Sequence, residues 1–320
     1  MLVGSHTWRH LRLISANWAG SAVRSGSGLV FLLIALVFGL SVAHLVLSPV
    51  EMLMRQERSQ GRQVSRAEVV ERIVEAGRPV VRWSLGVKTE VQEAETSPAA
   101  PDPFGRSAAV RRDPWSSFLL DERPALLSVI FLILLFGMPF VISFLAFNQF
   151  SGDVQSRGLR YLLLRTERGN IYWGRFLGTA LFSTAVMAIL IGTIALYAGA
   201  KIHIYSAGAM ALWSVHGFAA LAVLMLPYLA VCTWVSAMID APFASLVVAK
   251  LVIAGVLVFA LVGKLAWGPA VYFKYALPWG VQNHLLHPEW SHVLGAVAAC
   301  LGYAGVFLML GHRHFVRRDL

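Results

Sequence analysis

The chain has 320 residues, of which 57% are apolar and only 14% are charged, and its mean hydropathy is +0.65. Soluble domains carry about 25% charged residues, so this composition excludes a water-soluble single-core enzyme and a disordered chain. The net charge of +10 arises from short stretches beside apolar runs, which favours a membrane protein over a nucleic-acid-binding protein.

Residues 1–27 form a basic, amphipathic segment. Apolar residues recur in it at helical spacing, and Arg9 and Arg12 lie on the opposite side. This pattern predicts a cytoplasmic helix that lies along the inner membrane interface. Its predicted apolar face consists of Trp8, Leu11, Ile14 and Trp18.

Six apolar stretches are long enough to cross a membrane, because a hydrocarbon core of about 30 Å requires about 20 helical residues. They predict an all-α integral membrane protein with six transmembrane helices. The fourth stretch contains Pro227, which predicts a kink or a strong tilt. The sequence that ends at Ala43 resembles a signal-peptidase cleavage site. However, the long segment before the first apolar stretch favours a first helix that is not cleaved. The predicted stretches are residues 28–47, 125–147, 176–198, 209–235, 243–262 and 292–311.

The distribution of arginines predicts the orientation of these helices. Arginine-rich stretches precede the first span, join the second to the third, and follow the sixth. With six spans all three stretches lie on one side, which the positive-inside rule makes cytoplasmic, so both termini are predicted to be cytoplasmic. The predicted organisation is an amphipathic segment (1–27), helix 1 (28–49), an extracytoplasmic insertion (50–123), helices 2–6 (124–311, with the loop between helices 2 and 3 at 148–175) and a cytoplasmic tail (312–320).

The insertion is polar but neutral, with 12 acidic and 12 basic residues. Ser65 and Glu68 match the S-x-x-E capping box, which predicts the start of a helix, and Gly77 and Pro79 predict its end. Valine and isoleucine residues form an apolar stripe on this helix, which we expect to pack on the same chain rather than on an extracytoplasmic partner. Residues 97–103, SPAAPDP, predict a stiff linker that leads back to the membrane.

The loop at residues 148–175 contains five arginines. Leu159, Leu162 and Leu163 occur at helical spacing, with Arg160 on the opposite side. This pattern predicts a short amphipathic helix at the inner membrane surface. The residues alone do not separate a helix that binds a partner from one that rests on lipid headgroups.

This loop resembles the loop between the second and third spans of ABC-2 type transporter permeases, the membrane subunits of type V ABC exporters. The family pattern has an acidic residue, a glycine near a short Leu-Leu helix, a basic residue, and a Gly–Lys/Arg pair that opens the third span. The matching residues in this chain are Asp153, Gly158, Leu162, Leu163, Arg168, Gly174 and Arg175. Residues 315–320, FVRRDL, also resemble the family's F-x-R-R-D-L ending.

The resemblance implies a permease subunit that forms the translocation path of an exporter in the cell inner membrane, paired with a second copy or a paralogue. The chain contains no G-x-x-x-x-G-K-[ST] loop for nucleotide phosphates. In this family a separate cytosolic ATPase subunit binds ATP and Mg²⁺, so this chain is expected to be no enzyme and to carry no cofactor. The implied docking residues are Asp153, Arg157, Gly158, Leu159, Arg160, Leu162, Leu163, Arg165 and Arg168.

Two other functional classes compete with this interpretation. The main alternative is a membrane anchor or scaffold whose insertion binds an extracytoplasmic partner and which transports nothing. An intramembrane enzyme that acts on lipid is disfavoured, because the sequence places no nucleophile–base or metal-binding pair at membrane depth. The architecture does not predict the transported substrate.

Two sets of residues could carry other chemistry. His284-Leu-Leu-His287, with His292, could bind a metal, but it lacks the spacing and adjacent glutamate of zinc hydrolases, so interfacial histidines are favoured. Lys250 lies about 10 Å inside the fifth span. Its side chain is expected to snorkel to the cytoplasmic side, and a contact with an anionic substrate on the translocation path is the alternative.

Small residues have simpler predicted roles. Cys232 and Cys300 lie in apolar stretches far apart in the sequence, so we expect buried, unreactive thiols. Gly295, Ala299, Gly302 and Gly305 in the sixth span permit a close approach between helices. Packing within the chain is favoured over a seam between two copies.

Overall fold

The computed structural model describes seven parts of the chain, all of them helices and their connections. No strand occurs in these parts, so the predicted all-α fold class is confirmed for them. Helices satisfy their backbone hydrogen bonds internally, as a segment inside a bilayer must. The predicted linker at residues 97–103 lies outside the described residues. The described residues are 5–24, 26–60, 65–85, 114–155, 162–164, 166–202 and 204–318.

Ten α-helices are present in these ranges. In chain order they are α1 (Ser5–Arg24), α2 (Gly26–Ser59), α3 (Arg66–Leu85), α4 (Pro114–Ser117), α5 (Ala125–Ala146), α6 (Ser151–Gln155), α7 (Arg168–Ile202), α8 (Ala207–Met238), α9 (Pro242–Ala266) and α10 (Trp290–Arg317). A π-helical turn, Phe118–Glu122, follows α4. Three 3₁₀ segments connect α9 to α10: Gly268–Ala276, Pro278–Gly280 and Gln282–Leu286.

Six helices in the described part of the chain (α2, α5, α7, α8, α9 and α10) are long and apolar enough to cross a membrane. They correspond to the six predicted stretches. Several are longer than predicted: α7 begins at Arg168 and α10 ends at Arg317. Hydropathy detects only the part of a helix that matches the hydrocarbon core, so charged turns beyond it were not predicted. Helix α8 continues past Pro227 as one element.

Helices α5 and α8 form the centre of the bundle. Buried residues make up 72% of the apolar stretch of α5 but only 17% of that of α9. Helix α8 packs against α5, α7, α9 and α10, while α2 packs against α5 and α7. The outward faces of α2, α9 and α10 carry many exposed apolar side chains, as expected of helices that contact lipid.

Two glycines illustrate how closely the helices approach each other. A Cβ atom at Gly217 of α8 would lie 2.4 Å from the Phe131 ring of α5. A Cβ atom at Gly311 of α10 would lie 2.2 Å from Tyr172 Oη and 3.2 Å from Trp234 Cα. Neither position accepts a larger residue unless its neighbours move.

The other glycines of α10 are not in such contacts. A Cβ atom at Gly295, Gly302 or Gly305 would meet no atom within 4 Å. The prediction that these residues pack within the chain is therefore wrong. They lie apart from the buried face of α10, which includes Ala296, Cys300, Ala304 and Leu308.

The predicted N-terminal helix is present as α1, and it packs on α7. Trp18 Nε1 donates a hydrogen bond to Thr179 Oγ1 at 2.8 Å. A Cβ atom at Gly178 would lie 2.7 Å from the Ser15 carbonyl oxygen, so the two helices are in close contact. Part of the predicted apolar face, the side chains of Trp8 and Leu11, lies outside the described residues.

Helix α3 of the insertion begins where the sequence predicted. The Ser65 hydroxyl accepts a hydrogen bond from the Ala67 N–H at 3.2 Å, while Glu68 pairs with Arg72 instead of completing the capping box. The apolar stripe packs against α2, α4 and α5, which confirms the expected packing on the same chain. Its buried residues are Val69, Val70, Val74, Val81 and Leu85.

The predicted end of this helix is wrong. Helix α3 continues through Gly77 and Pro79 to Leu85. Arg78 is buried and forms an ion pair with Asp121 at 2.9 Å, which ties the second half of α3 to the π-helical turn. This contact and the burial of Leu85 offset the hydrogen bond that Pro79 cannot donate.

Candidate functional site

The two ends of the bundle carry different polar groups. We call one the arginine end, formed by α1, residues 147–155, the start of α7, residues 236–241 and the last turn of α10. We call the other the histidine end, formed by α3 and residues 114–123 and 267–292.

The arginine end is organised around Arg175, which is only 3% exposed. Its guanidinium forms an ion pair with Asp153 and donates a hydrogen bond to the Gln149 carbonyl oxygen. The same group lies over the rings of Trp18, at 4.6 Å, and Phe150, at 5.4 Å. A buried guanidinium needs such compensation, so this arrangement fixes α6 and the preceding turn onto α7 and α1.

An aromatic cluster lies next to this ion pair. Phe150 stacks on Tyr172 with ring centroids 5.4 Å apart, and Phe315 approaches Phe150 to 4.9 Å. All three side chains are fully buried. The Ser236 hydroxyl accepts hydrogen bonds from the Phe150 N–H at 3.1 Å and the Ser151 N–H at 3.3 Å. The turn after α5 is therefore held by α7, α8 and α10 together.

Two further arginines join the ends of helices. Arg168 donates hydrogen bonds to the carbonyl oxygens of Val316, at 3.0 Å, and Arg318. Arg318 in turn donates to the Ala237 carbonyl oxygen at 2.7 Å and forms an ion pair with Asp240. Since the last carbonyl groups of a helix lack partners within it, both arginines act as caps.

The predicted docking residues fall into two groups. Asp153 and Arg168 contact their own chain as described, and Leu163 packs on the core while Leu162 is 40% exposed. The others lie outside the described residues: Arg157, Gly158, Leu159, Arg160 and Arg165. Contact of this loop with an ATPase subunit stays a prediction.

Lys250 lies in the bundle near the arginine end. Its Nζ is 3.6 Å from the centroid of the Phe144 ring, close to the end of α5. The side chain thus extends toward the start of its own helix, in the direction expected for snorkelling. Its role on a substrate path stays a prediction.

At the histidine end three imidazoles lie close together. The ring centroids of His287 and His292 are 4.2 Å apart, and His284 lies 6.0 Å and 5.8 Å from them. Burial lowers the pKa of His284, and the charges of His287, His292 and Lys274 act in the same direction. The His284 ring is therefore neutral at neutral pH and can act as a ligand.

Trp115, from the insertion, packs on these histidines. Its ring stacks on His284 with centroids 5.2 Å apart and meets His287 edge-on at 4.8 Å. Its Nε1 donates to the Leu286 carbonyl oxygen at 3.3 Å. The short α4 segment thus fixes the loop that carries the histidines.

A cavity of about 450 Å³ opens beside the histidines, between α8 and α10. Its walls are mostly apolar, and its polar residues are Arg123, His216 and His287. The Arg123 guanidinium lies 4.9 Å from the Phe118 ring and 5.3 Å from the Trp213 ring, and it forms no ion pair with any described residue. A guanidinium at the edge of an apolar cavity could bind the anionic head of an amphiphile.

Sequence reasoning missed Trp115, Arg123 and the Arg78–Asp121 pair. Trp115 and Arg123 precede the start of the second span, where aromatic and basic residues commonly mark the interface. That signal could have drawn attention to them, but their partners come from distant parts of the chain. Cys232 and Cys300 are buried free thiols, as predicted. Comparison of the chain with protein-family models and with curated proteins yields no match.

Proposed function

We propose that this chain is the permease subunit of an ABC-2 type exporter in the cell inner membrane. The loop at residues 148–175 faces the cytosol in this proposal and binds a separate ATPase subunit, which hydrolyses ATP. Two permease chains, identical or paralogous, form the translocation path. The proposal rests on the resemblance of the loop and the six membrane-length helices.

The observation that carries the proposal is the contact network at the arginine end. The two sides of the loop bind the rest of the bundle through Asp153–Arg175 and through Arg168. The aromatic cluster of Phe150, Tyr172 and Phe315 adds contacts to α10. Packed contacts of this kind move as rigid units between discrete arrangements, so a force applied to the loop reaches α7, α8 and α10.

Purification in mild detergent tests the partner. The chain should purify with a protein that carries a Walker motif, and Arg157→Glu or Arg160→Glu should reduce its recovery at least tenfold (an estimate of about 1.4 kcal/mol). Arg55→Glu is the matched control, because Arg55 is exposed on α2 far from the arginine end. Arg168 is unsuitable for this test since its reversal also breaks the cap of α10. Undiminished recovery with both reversals contradicts the docking assignment.

Cysteine labelling tests the orientation. Cys232 and Cys300 are buried, so a new cysteine can be labelled selectively. A membrane-impermeant maleimide should label Arg55→Cys in intact cells but Arg157→Cys only after the membrane is permeabilised. Labelling of Arg157→Cys from outside would place the loop on the wrong side for an ATPase and end the proposal.

The alternative function, an anchor that recruits an extracytoplasmic partner, has less support. An apolar surface would support partner binding, but in the described part of the insertion the apolar stripe of α3 is buried on its own chain. The outcome that would favour the anchor is a stable complex with an extracytoplasmic protein and no ATPase.

A further inference from the structure

We propose that His284, His287, Glu289 and His292 form a binding site for a divalent transition-metal ion of the Zn²⁺ type. The proposal is independent of transport and concerns the histidine end alone. The four residues lie within nine positions of the sequence, from the last 3₁₀ segment to the first turn of α10.

Three of the ligands are already close together. One nitrogen or oxygen atom from each of His287, Glu289 and His292 lies within 4.8 Å of the other two. His292 Nε2 and Glu289 Oε2 are 3.5 Å apart. Two ligand atoms on one tetrahedral Zn²⁺ are separated by about 3.4 Å. The His292–Glu289 pair thus has the spacing of a metal site, and the third ligand requires a small side-chain movement.

His284 is positioned as the fourth ligand. Two imidazoles on one tetrahedral Zn²⁺ have ring centroids about 5 Å apart. The observed distances from the His284 ring are 5.8 Å to His292 and 6.0 Å to His287. His284 Nδ1 is shielded from solvent and has no hydrogen-bond partner among the described residues. A bound metal ion would satisfy this nitrogen or hold the ring through the other one.

Trp115 makes the site more rigid than an exposed loop. Its stacking on His284 and edge contact with His287 restrict both rings, and its hydrogen bond to Leu286 fixes the backbone between them. Restricting the ligands before binding lowers the entropy lost when the ion binds. The insertion thus contributes to the site without supplying a ligand.

One hydrogen bond must change when the ion binds. The Glu289 N–H donates to His287 Nδ1 at 3.1 Å, so in the neutral ring the proton is on Nε2. Coordination by His287 requires that this bond be broken or that the ring turn over. A metal–imidazole bond would replace this hydrogen bond at the start of α10.

The donor set determines the class of ion. Imidazole nitrogens with one carboxylate suit Zn²⁺, Cu²⁺ and Ni²⁺, whereas Ca²⁺ and Mg²⁺ prefer oxygen ligands throughout. Glu289 supplies the one carboxylate of this donor set. We therefore assign the site to Zn²⁺, with Cu²⁺ as the stronger competitor that the Irving–Williams order requires.

Calorimetric titration of the whole chain tests the assignment. The protein is purified in detergent with an affinity tag that contains no histidine, and it is treated with chelator before Zn²⁺ is added. We expect binding of one ion, weakened at least about tenfold by His284→Asn, Glu289→Gln or His292→Asn. His314→Asn is the matched control, an exposed histidine at the arginine end. Cu²⁺ should bind more tightly and should show the same dependence on these residues.

Chemical footprinting of the unmodified protein covers the case in which a variant fails to fold. Zn²⁺ should protect His284, His287 and His292 from diethylpyrocarbonate, as read by mass spectrometry, and should leave His314 reactive. The assignment is overturned if the unmodified protein binds no Zn²⁺, or if binding is the same in the three variants. Protection that is equal at His314 and at the three histidines overturns it as well.

Discussion

The arginine end and the histidine end differ in how their charges are compensated. At the arginine end Arg175, Arg168 and Arg318 are bound by carboxylates or carbonyl groups of the same chain. At the histidine end Arg123 lies beside an open cavity and His284 Nδ1 has no hydrogen-bond partner among the described residues. The first end is closed by its own contacts, while the second keeps polar groups available to a ligand.

The charged and polar groups at the two ends are therefore suited to different roles. Charges that are paired inside a bundle make it rigid and can transmit movement, but they have little capacity left for a ligand. Polar groups that stay unpaired beside a cavity cost stability and are commonly kept for binding. Substitutions at the two ends should therefore have different effects.

The largest expected effect is at the arginine end. Asp153→Ala leaves the buried guanidinium of Arg175 without its carboxylate, and we expect a loss of about 3 kcal/mol in the free energy of unfolding. Asp240→Ala, which breaks the more exposed pair with Arg318, should cost less than about 1 kcal/mol. Thermal unfolding in detergent measures both. Equal losses would contradict the special status of the Asp153–Arg175 pair.

The second-largest expected loss of stability, also at the arginine end, comes from a steric clash. Gly311→Ala places a methyl group against Tyr172 and the backbone of α8, so it should destabilise the protein by about 2 kcal/mol. Gly302→Ala, on the same helix but with no atom near its Cβ, should be neutral or stabilising. If Gly302→Ala were the more harmful in the isolated chain, the packing of α10 described above would be incorrect.

At the histidine end the ion pair between Arg78 and Asp121 should contribute less to stability. Arg78→Met removes the contact with Asp121, and we expect a loss of about 1 kcal/mol together with faster hydrogen exchange in α3. The hydrogen bond to Asp121 raises the pKa of Arg78, so the guanidinium stays charged over the whole accessible pH range. Arg72→Met serves as the control and should change exchange little, because the Arg72 side chain is 55% exposed in its pairs with Glu57 and Glu68.

The smallest expected effect concerns Lys250. Lys250→Met retains the apolar stem and removes the ammonium group from the Phe144 ring, so the free energy of unfolding should change by less than about 1 kcal/mol. If the proposed ATPase subunit binds, the ATPase activity of that complex, measured in liposomes, should stay unchanged. A stable variant with strongly altered ATPase activity would instead favour a role for Lys250 on the substrate path.

The six long helices could be predicted because the bilayer imposes a length and an apolar composition that are visible in any window of the sequence. The start of α3 could be predicted because Ser65 caps the helix through a contact that is local in the sequence. The end of α3 was mispredicted because Arg78 and Leu85 are held by residues that are distant in sequence.

In the candidate sites, too, local features could be predicted from the sequence and contacts between distant residues could not. The sequence indicated the histidines because they are neighbours in the chain, but not Trp115, whose contact with Leu286 spans 171 positions. It singled out Asp153 and Arg175 as separate motif positions, and their pairing required the fold. Hydropathy indicates which segments enter the membrane, whereas the contacts between their ends depend on tertiary packing.

The cap that Arg168 places on α10 has a consequence for biosynthesis. Its carbonyl partners lie 148 and 150 positions later in the sequence. Arg168 leaves the ribosome long before Val316 and Arg318 have been translated, so α7 must enter the membrane with this guanidinium still hydrated. Nascent chains arrested before α10 should therefore be more readily degraded than the finished bundle.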